Sequence, residues 1–128
     1  MPNRPCWVEI STRSLEENFR LLGGLTGQDA DLLAIVKADA YGHSVALCAP
    51  AAVRAGAKWL GVTSVEEGIA ARALCPDVHI LVIAGVFPGQ GAALVAGRLT
   101  AVVWEPWQLD EIARAAIESA ARSAAAGA

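Results

Sequence analysis

The chain has 128 residues, a net charge of −3 and 55% hydrophobic residues. This length fits one domain with a sizeable core, so the chain is not a disordered segment. The acidic balance and the lack of any Lys or Arg cluster argue against nucleic acid or an anionic membrane surface as a partner.

The cysteines and the amino terminus indicate a reducing compartment. Cys6, Cys48 and Cys75 are odd in number, widely spaced and without a Cys-x-x-Cys pair, which argues against a disulfide framework or a metal site. The first residues lack the apolar core of a secretory signal, so we expect a cytoplasmic protein. The apolar segment 79–97 is divided by a turn at Pro88, which favours a strand, a turn and a helix over a membrane span.

Apolar runs of strand length alternate with helical patterns along the whole chain. The predicted strands are 6–10, 32–36, 59–63, 79–84 and 99–104. The predicted helices are 14–22, 44–55, 64–74, 89–97 and one that begins at 106.

Three of these helices carry a start signal in the sequence. Ser14 with Glu17, and Ser64 with Glu67, have the spacing of a capping box, in which the serine oxygen and the glutamate satisfy free amides of the first turn. Pro106 is a favoured first helical residue.

Strands that alternate with capped helices predict parallel βα units. A strand repeat of roughly 20 to 25 residues and a lysine at a strand's carboxyl end favour a (β/α)8 TIM-type barrel. A closed barrel takes about 250 residues, so about five units make a partial barrel. We therefore predict an α/β domain over residues 4–118, followed by a frayed Ala/Ser tail at 119–128.

Lys37 is the unusual position, because it falls where the apolar strand 32–36 opens into a loop at 38–42. An ammonium at that place carries a desolvation cost. If burial favours the neutral amine, Lys37 is a nucleophile towards a carbonyl, as Schiff-base enzymes require. Tyr41, the only tyrosine, is a suitable donor to a phosphate beside it. The alternative is a lysine that extends into water and covers apolar surface with its stem.

The segment 34–43, AIVKADAYGH, closely resembles the pyridoxal-phosphate attachment motif of alanine racemases. Flanking segments from about Arg4 to about Ala116 resemble the same family in the same order. They are RPCWVEI at 4–10, LxxNF at 15–19, GAKWLGV at 56–62, SVEEG at 64–68 and ILVIAG at 80–85.

This resemblance implies a function and two site residues. In alanine racemases the lysine that matches Lys37 binds pyridoxal 5'-phosphate and takes the proton from the Cα of alanine, and the tyrosine that matches Tyr41 contacts the phosphate. The chain is thereby expected to belong to an isomerase that interconverts L- and D-alanine for peptidoglycan. The intact family works as a homodimer.

Two residues and the length depart from the family's pattern. Ser44 replaces a glycine, and Pro50 lies inside the helix 44–55, where it removes a backbone bond and is expected to bend the helix. The family's other barrel strands, its substrate-carboxylate arginine, its C-terminal β-domain and the partner subunit's catalytic tyrosine have no counterpart in these 128 residues. Because racemization needs an acid-base group on each face of Cα, we expect an N-terminal fragment that is inactive alone.

Other interpretations stay open. One is another barrel-type pyridoxal enzyme, such as a serine racemase-like protein or a D-amino-acid aldolase. A second is a small pyridoxal-phosphate-binding protein without catalysis. A third is an inactive truncated product with a bare strand edge at 99–104.

Some patterns are weaker signals of a site. The GxG at 89–91 hints at a dinucleotide loop, but Leu94 occupies the third glycine position. For His43 we favour a structural role over a role as a catalytic base. Glu66 and Glu67 are interpreted as charges at a helix amino terminus.

Overall fold

The computed structural model describes residues 6–27 and 29–127 as an α/β domain with one parallel sheet. Its strands are β1 Leu33–Ile35, β2 Trp59–Val62, β3 His79–Val82 and β4 Thr100–Ala101. Its helices are α1 Thr12–Thr26, α2 Lys37–Gly42, α3 Val45–Arg54, α4 Val65–Leu74, α5 Gly91–Ala96 and α6 Pro106–Ala126.

The four strands lie side by side in the order in which they occur along the chain. Leu33 pairs with Trp59, Trp59 with His79, and Leu81 with Thr100, all in parallel register. The carboxyl ends of the strands therefore meet at one edge of the sheet. This arrangement confirms the predicted α/β class and the partial barrel.

The core lies between the helices and one face of the sheet. Leu60, Val62, Ile80 and Val82 of the central strands are at most 1% exposed. The opposite face carries apolar side chains that are 36–39% exposed, namely Leu33, Ile35, Ile83 and Val102. In a closed barrel that second face lines the interior, which is why both faces of these strands are apolar.

The predicted first strand, Cys6–Ile10, is wrong, because residues 6–10 pair with no strand of the described chain. Trp7 and Val8 are 76% and 80% exposed. Strand propensity describes how well a side chain fits a pleated, half-buried surface, and these residues have no such surface beside them. The described residues consequently hold four strands, one fewer than predicted.

The predicted start of α1 is also wrong. The helix begins at Thr12, with Ser11 as N-cap, and the Ser11 hydroxyl accepts a 3.2 Å hydrogen bond from the Ser14 N–H. Ser14 is thus inside the first turn. Glu17 does not cap the helix but pairs with Arg13 at 2.8 Å.

The predicted starts of α4 and α6 are confirmed at Val65 and Pro106. α3 runs through Pro50, as predicted. α6 continues to Ala126, into the Ala-rich residues predicted to fray, because alanine has the highest helix propensity. Fraying of residues 119–128 stays a prediction. No helix of the described residues has the length and apolarity needed to cross a membrane.

Candidate functional site

Lys37 lies at the carboxyl end of β1, at the sheet edge where parallel barrels carry their active sites. The Val36 N–H donates a 2.8 Å hydrogen bond to the Gly61 carbonyl, so pairing with β2 continues up to the residue before the lysine. Val36 is buried, whereas Lys37 is half-buried. The sheet therefore holds the chain in place up to Val36, and Lys37 is the first residue beyond it.

The chain reverses its helical hand directly after Lys37. Ala38, Asp39, Ala40 and Tyr41 have φ of 51–56° and ψ of 37–51°, which is the left-handed helical region. The sequence predicted a loop here, because nothing in these residue types favours that conformation. Each non-glycine residue in it costs roughly 1–2 kcal/mol, so neighbouring contacts must hold the turn in place.

The Glu67 carboxylate supplies the first of these contacts. Its Oε1 accepts a 2.7 Å hydrogen bond from the Ala38 N–H, and its Oε2 accepts one of 2.7 Å from the Thr63 N–H. The Ser64 hydroxyl accepts from the Glu67 N–H at 3.3 Å, as predicted for an N-cap. Only half of the predicted capping box thus forms, because the glutamate carboxylate leaves its own helix and joins the ends of β1 and β2.

Asp39 and His43 supply two further contacts. Asp39 Oδ1 accepts a 2.7 Å hydrogen bond from the Val45 N–H at the start of α3. The Nδ1 of His43 lies 3.1 Å from the Ala40 carbonyl, a geometry in which Nδ1 carries the proton and donates. This engagement supports the structural interpretation of His43.

The left-handed turn brings Lys37 and Tyr41 to the same side. The Nζ of Lys37 lies 5.9 Å from the centroid of the Tyr41 ring, within range of a cation–π contact. Tyr41 is 59% exposed. In the part of the chain that the structure describes, Lys37 takes part in no ion pair. The amine and the aromatic ring are thus neighbours, the ring exposed and the lysine half-buried.

A cavity of about 530 Å³ lies at the other end of the sheet, between α3 and α4. Three of its lining side chains are already engaged: Arg54 pairs with Glu16, Lys58 pairs with Asp31, and His79 stacks on Trp59. Lys37 is not part of that lining. That cavity is therefore distinct from the site around Lys37, which lies at the carboxyl edge of the sheet.

The family model of the alanine racemase N-terminal domain matches residues 10–125. The chain belongs to the alanine racemase family. The alanine racemase of Symbiobacterium thermophilum is 39% identical over 102 residues, which are 80% of this chain and 27% of that protein. The chain therefore spans less than a third of the length of the relatives it matches.

Solved alanine racemases share the fold. The Streptomyces coelicolor enzyme is 40% identical, with a TM-score of 0.74 over 82% of this chain and 29% of that enzyme. The Bartonella henselae enzyme, solved with covalently bound pyridoxal phosphate, is 24% identical, with a TM-score of 0.73 over 80% of this chain and 28% of that enzyme.

One departure from the alanine racemase pattern has a local explanation. Ser44, which replaces the family's usual glycine, has φ of 70° and ψ of 107°. Glycine adopts positive φ without a steric cost, so the usual residue suits this backbone. In this chain the Asp39–Val45 hydrogen bond spans Ser44 and holds it in that conformation.

Proposed function

We propose that this alanine racemase domain binds pyridoxal 5'-phosphate covalently through Lys37, and that Tyr41 donates a hydrogen bond to the cofactor phosphate. The observation that carries the proposal is the Lys37 amine at the carboxyl end of β1, 5.9 Å from the centroid of the only tyrosine ring. Family membership and the motif at 34–43 support it.

The residues fit such a cofactor. The lysine amine is the group that condenses with an aldehyde, and a phenol is a donor to a phosphate oxygen. Both side chains extend from one turn that is hydrogen-bonded to Glu67 beside the sheet edge. When bound, the cofactor supplies an electron sink for charge that develops at the substrate Cα.

We propose that Lys37 also moves the proton on one face of the alanine Cα, since lysine is one of the side chains that serve as general acid-base groups. The acid-base side chains that flank it in the described structure are engaged with the backbone. Glu67 and Asp39 accept from N–H groups, and His43 faces carbonyl oxygens. The other face of Cα needs a second group, so these 128 residues alone are not expected to racemize alanine at a useful rate.

The remaining properties are proposed for the intact enzyme. It would interconvert L- and D-alanine for peptidoglycan as a cytoplasmic homodimer. Family membership supports this proposal, and the net charge of −3 agrees with a small-molecule substrate and with the absence of nucleic acid or membrane partners.

Covalent trapping tests the anchor. The chain is mixed with pyridoxal phosphate, reduced with borohydride and mapped by mass spectrometry. Lys58, the only other lysine and 69% exposed, provides the control. We expect the pyridoxyl group on Lys37, a visible absorbance band that Lys37→Ala removes, and an unchanged band in Lys58→Ala. Equal labelling of Lys37 and Lys58 would contradict the proposal.

Tyr41→Phe tests the phosphate contact. Loss of one hydrogen bond to a charged group weakens binding by about tenfold or more, so the variant needs a correspondingly higher pyridoxal phosphate concentration for the same band. An unchanged titration would exclude the proposed role of Tyr41.

A non-catalytic pyridoxal-phosphate-binding protein is the second candidate, because the acid-base side chains Glu67, Asp39 and His43 beside the proposed anchor Lys37 are engaged with the backbone. Formation of D-alanine from L-alanine separates the two. We expect the 128-residue chain to be no faster than free pyridoxal phosphate; a rate far above that value would show that it racemizes alanine unaided.

A further inference from the structure

Glu67 connects two strand ends through one carboxylate. Its two 2.7 Å hydrogen bonds go to the Ala38 N–H, after β1, and to the Thr63 N–H, after β2. Bonds of this length to a carboxylate are charge-assisted and stronger than bonds between neutral groups. Neither bond lies within α4, although Glu67 is in its first turn.

The bond to Ala38 acts on the peptide that joins Ala38 to Lys37. The Ala38 N–H and the Lys37 carbonyl belong to one planar unit, so fixing that N–H fixes the backbone rotation at Lys37. Ala38 is also the first of the consecutive residues with positive φ that follow Lys37, so the left-handed turn begins at this peptide. The direction in which the Lys37 side chain leaves the backbone depends on the same rotation.

We infer that Glu67 is a positioning residue that sets the direction of the Lys37 amine through the Ala38 N–H. The inference rests on the proposed role of Lys37 as the cofactor anchor. A carboxylate is needed because two N–H donors face one side chain. Glutamine has a single acceptor oxygen, and its NH₂ group would face a second donor.

Glu66 is the matched control for Glu67. It is the neighbouring residue in the first turn of α4, with the same charge at the same helix terminus. Its Oε1 accepts a 2.9 Å hydrogen bond from Gln90 Nε2, away from the Lys37 turn. Glu66→Gln therefore removes a comparable helix-terminal charge without changing the contact to Ala38.

The first measurement is amide hydrogen exchange of the 128-residue chain without cofactor. We expect the Ala38 amide of Glu67→Gln to exchange at least about tenfold faster than that of the wild type, the change that loss of one such bond produces. In Glu66→Gln it should exchange at the wild-type rate. Protected amides of α4 report that both variants are folded.

The second measurement is the rate of pyridoxyl trapping at Lys37, with Lys58 in the same sample as internal reference. We expect trapping at Lys37 to slow severalfold in Glu67→Gln, with no change in Glu66→Gln or at Lys58. The inference would be overturned if the Ala38 amide of Glu67→Gln exchanged faster but the trapping rate at Lys37 were unchanged. It would also be overturned if the exchange rate and the trapping rate of this variant both equalled those of the wild type.

The wild-type chain gives two independent checks. The first check applies if Glu67→Gln does not fold. The exchange rate of the Ala38 amide in the wild type is then compared with that of an unstructured amide, and equal rates would overturn the inference. Failure of the wild-type chain to be trapped at Lys37 would instead overturn the proposed function. The two failures are therefore distinguished before any variant is compared.

Discussion

Asp39 Oδ1 accepts a 2.7 Å hydrogen bond from the backbone N–H of Val45 and so joins the left-handed turn to the first turn of α3. Ser44, the residue at the N-cap position, has positive φ, and its own side chain caps nothing. Asp39, six residues before Val45, therefore caps α3 in place of Ser44.

Asp39→Ala is expected to lower the free energy of unfolding by about 1–2 kcal/mol, the usual cost of losing a side-chain cap. Asp39→Asn keeps an acceptor oxygen and should lose less. Urea denaturation measures both, and Asp110→Ala, at an exposed position of α6, is the control. Equal stability of the Asp39→Ala and Asp110→Ala variants would show that this cap does not stabilise the fold.

Gly85 should tolerate no side chain. It has φ of 71°, and an added Cβ would lie 2.7 Å from the Val102 carbonyl oxygen and 2.7 Å from the Trp104 ring. Gly85→Ala is therefore expected to cost about 2–5 kcal/mol, from the left-handed conformation and from overpacking together. Thermal or urea unfolding measures the loss.

Gly89 separates these two causes. Its φ is 87°, but nothing lies within 4 Å of an added Cβ. Gly89→Ala should cost only the conformational part, about 1–2 kcal/mol. If both variants lost the same stability, the close approach at Gly85 would be unimportant.

Arg72 is expected to resist replacement by lysine. Its half-buried guanidinium donates to five backbone carbonyls, which belong to Cys75, Pro76, Val78, Gly97 and Arg98. Burial lowers the pKa of this group from its usual value, with the Arg98 charge as the second cause. A compact ammonium cannot reproduce the planar fork, so Arg72→Lys should lose about 2 kcal/mol or more.

Arg114 provides the matched arginine. It is 68% exposed and makes one ion pair with Glu111 in the described structure, and a pair with so exposed a cation contributes little because solvent screens the charge. Arg114→Lys should therefore stay within about 0.5 kcal/mol of the wild type in the same denaturation experiment. A similar loss in both variants would refute the proposed importance of the Arg72 contacts.

The three cysteines should differ in their rate of alkylation. Cys6 is exposed, whereas Cys48 and Cys75 are 4% and 6% exposed. Burial raises the pKa of both buried thiols, and the Asp39 charge raises that of Cys48 further. Since the thiolate is the reactive form, a raised pKa leaves less of it at pH 8, roughly the pH at which an ordinary cysteine begins to ionise.

We therefore expect rapid labelling of Cys6 at pH 8 and slow labelling of Cys48 and Cys75, with the slow rates still increasing at higher pH. Mass spectrometry of the labelled peptides measures each rate. In urea the three rates should converge. Labelling of Cys48 in the folded chain as fast as Cys6 would contradict its burial.

Much of the fold could be read from local patterns. Apolar residues occupy both faces of the runs at 32–36, 59–63 and 79–84, a pattern typical of strands that are covered on both sides. Each of these runs contains a strand of the sheet. Ser64 and Pro106 mark helix starts through bonds that reach only a few residues along the chain. The same kind of pattern wrongly predicted a strand at 6–10, because a strand forms only beside a partner strand.

The candidate site, too, could be predicted only in part from local patterns. The position of Lys37 at the end of an apolar run, with Tyr41 four residues later, is a property of the sequence by itself. The left-handed turn that brings their side chains together was decided by the tertiary structure. Its conformation is unfavourable for alanine, aspartate and tyrosine, so it needs contacts such as that of Glu67, which is 29 residues away from Ala38 and lies beside the turn because β1 and β2 are paired.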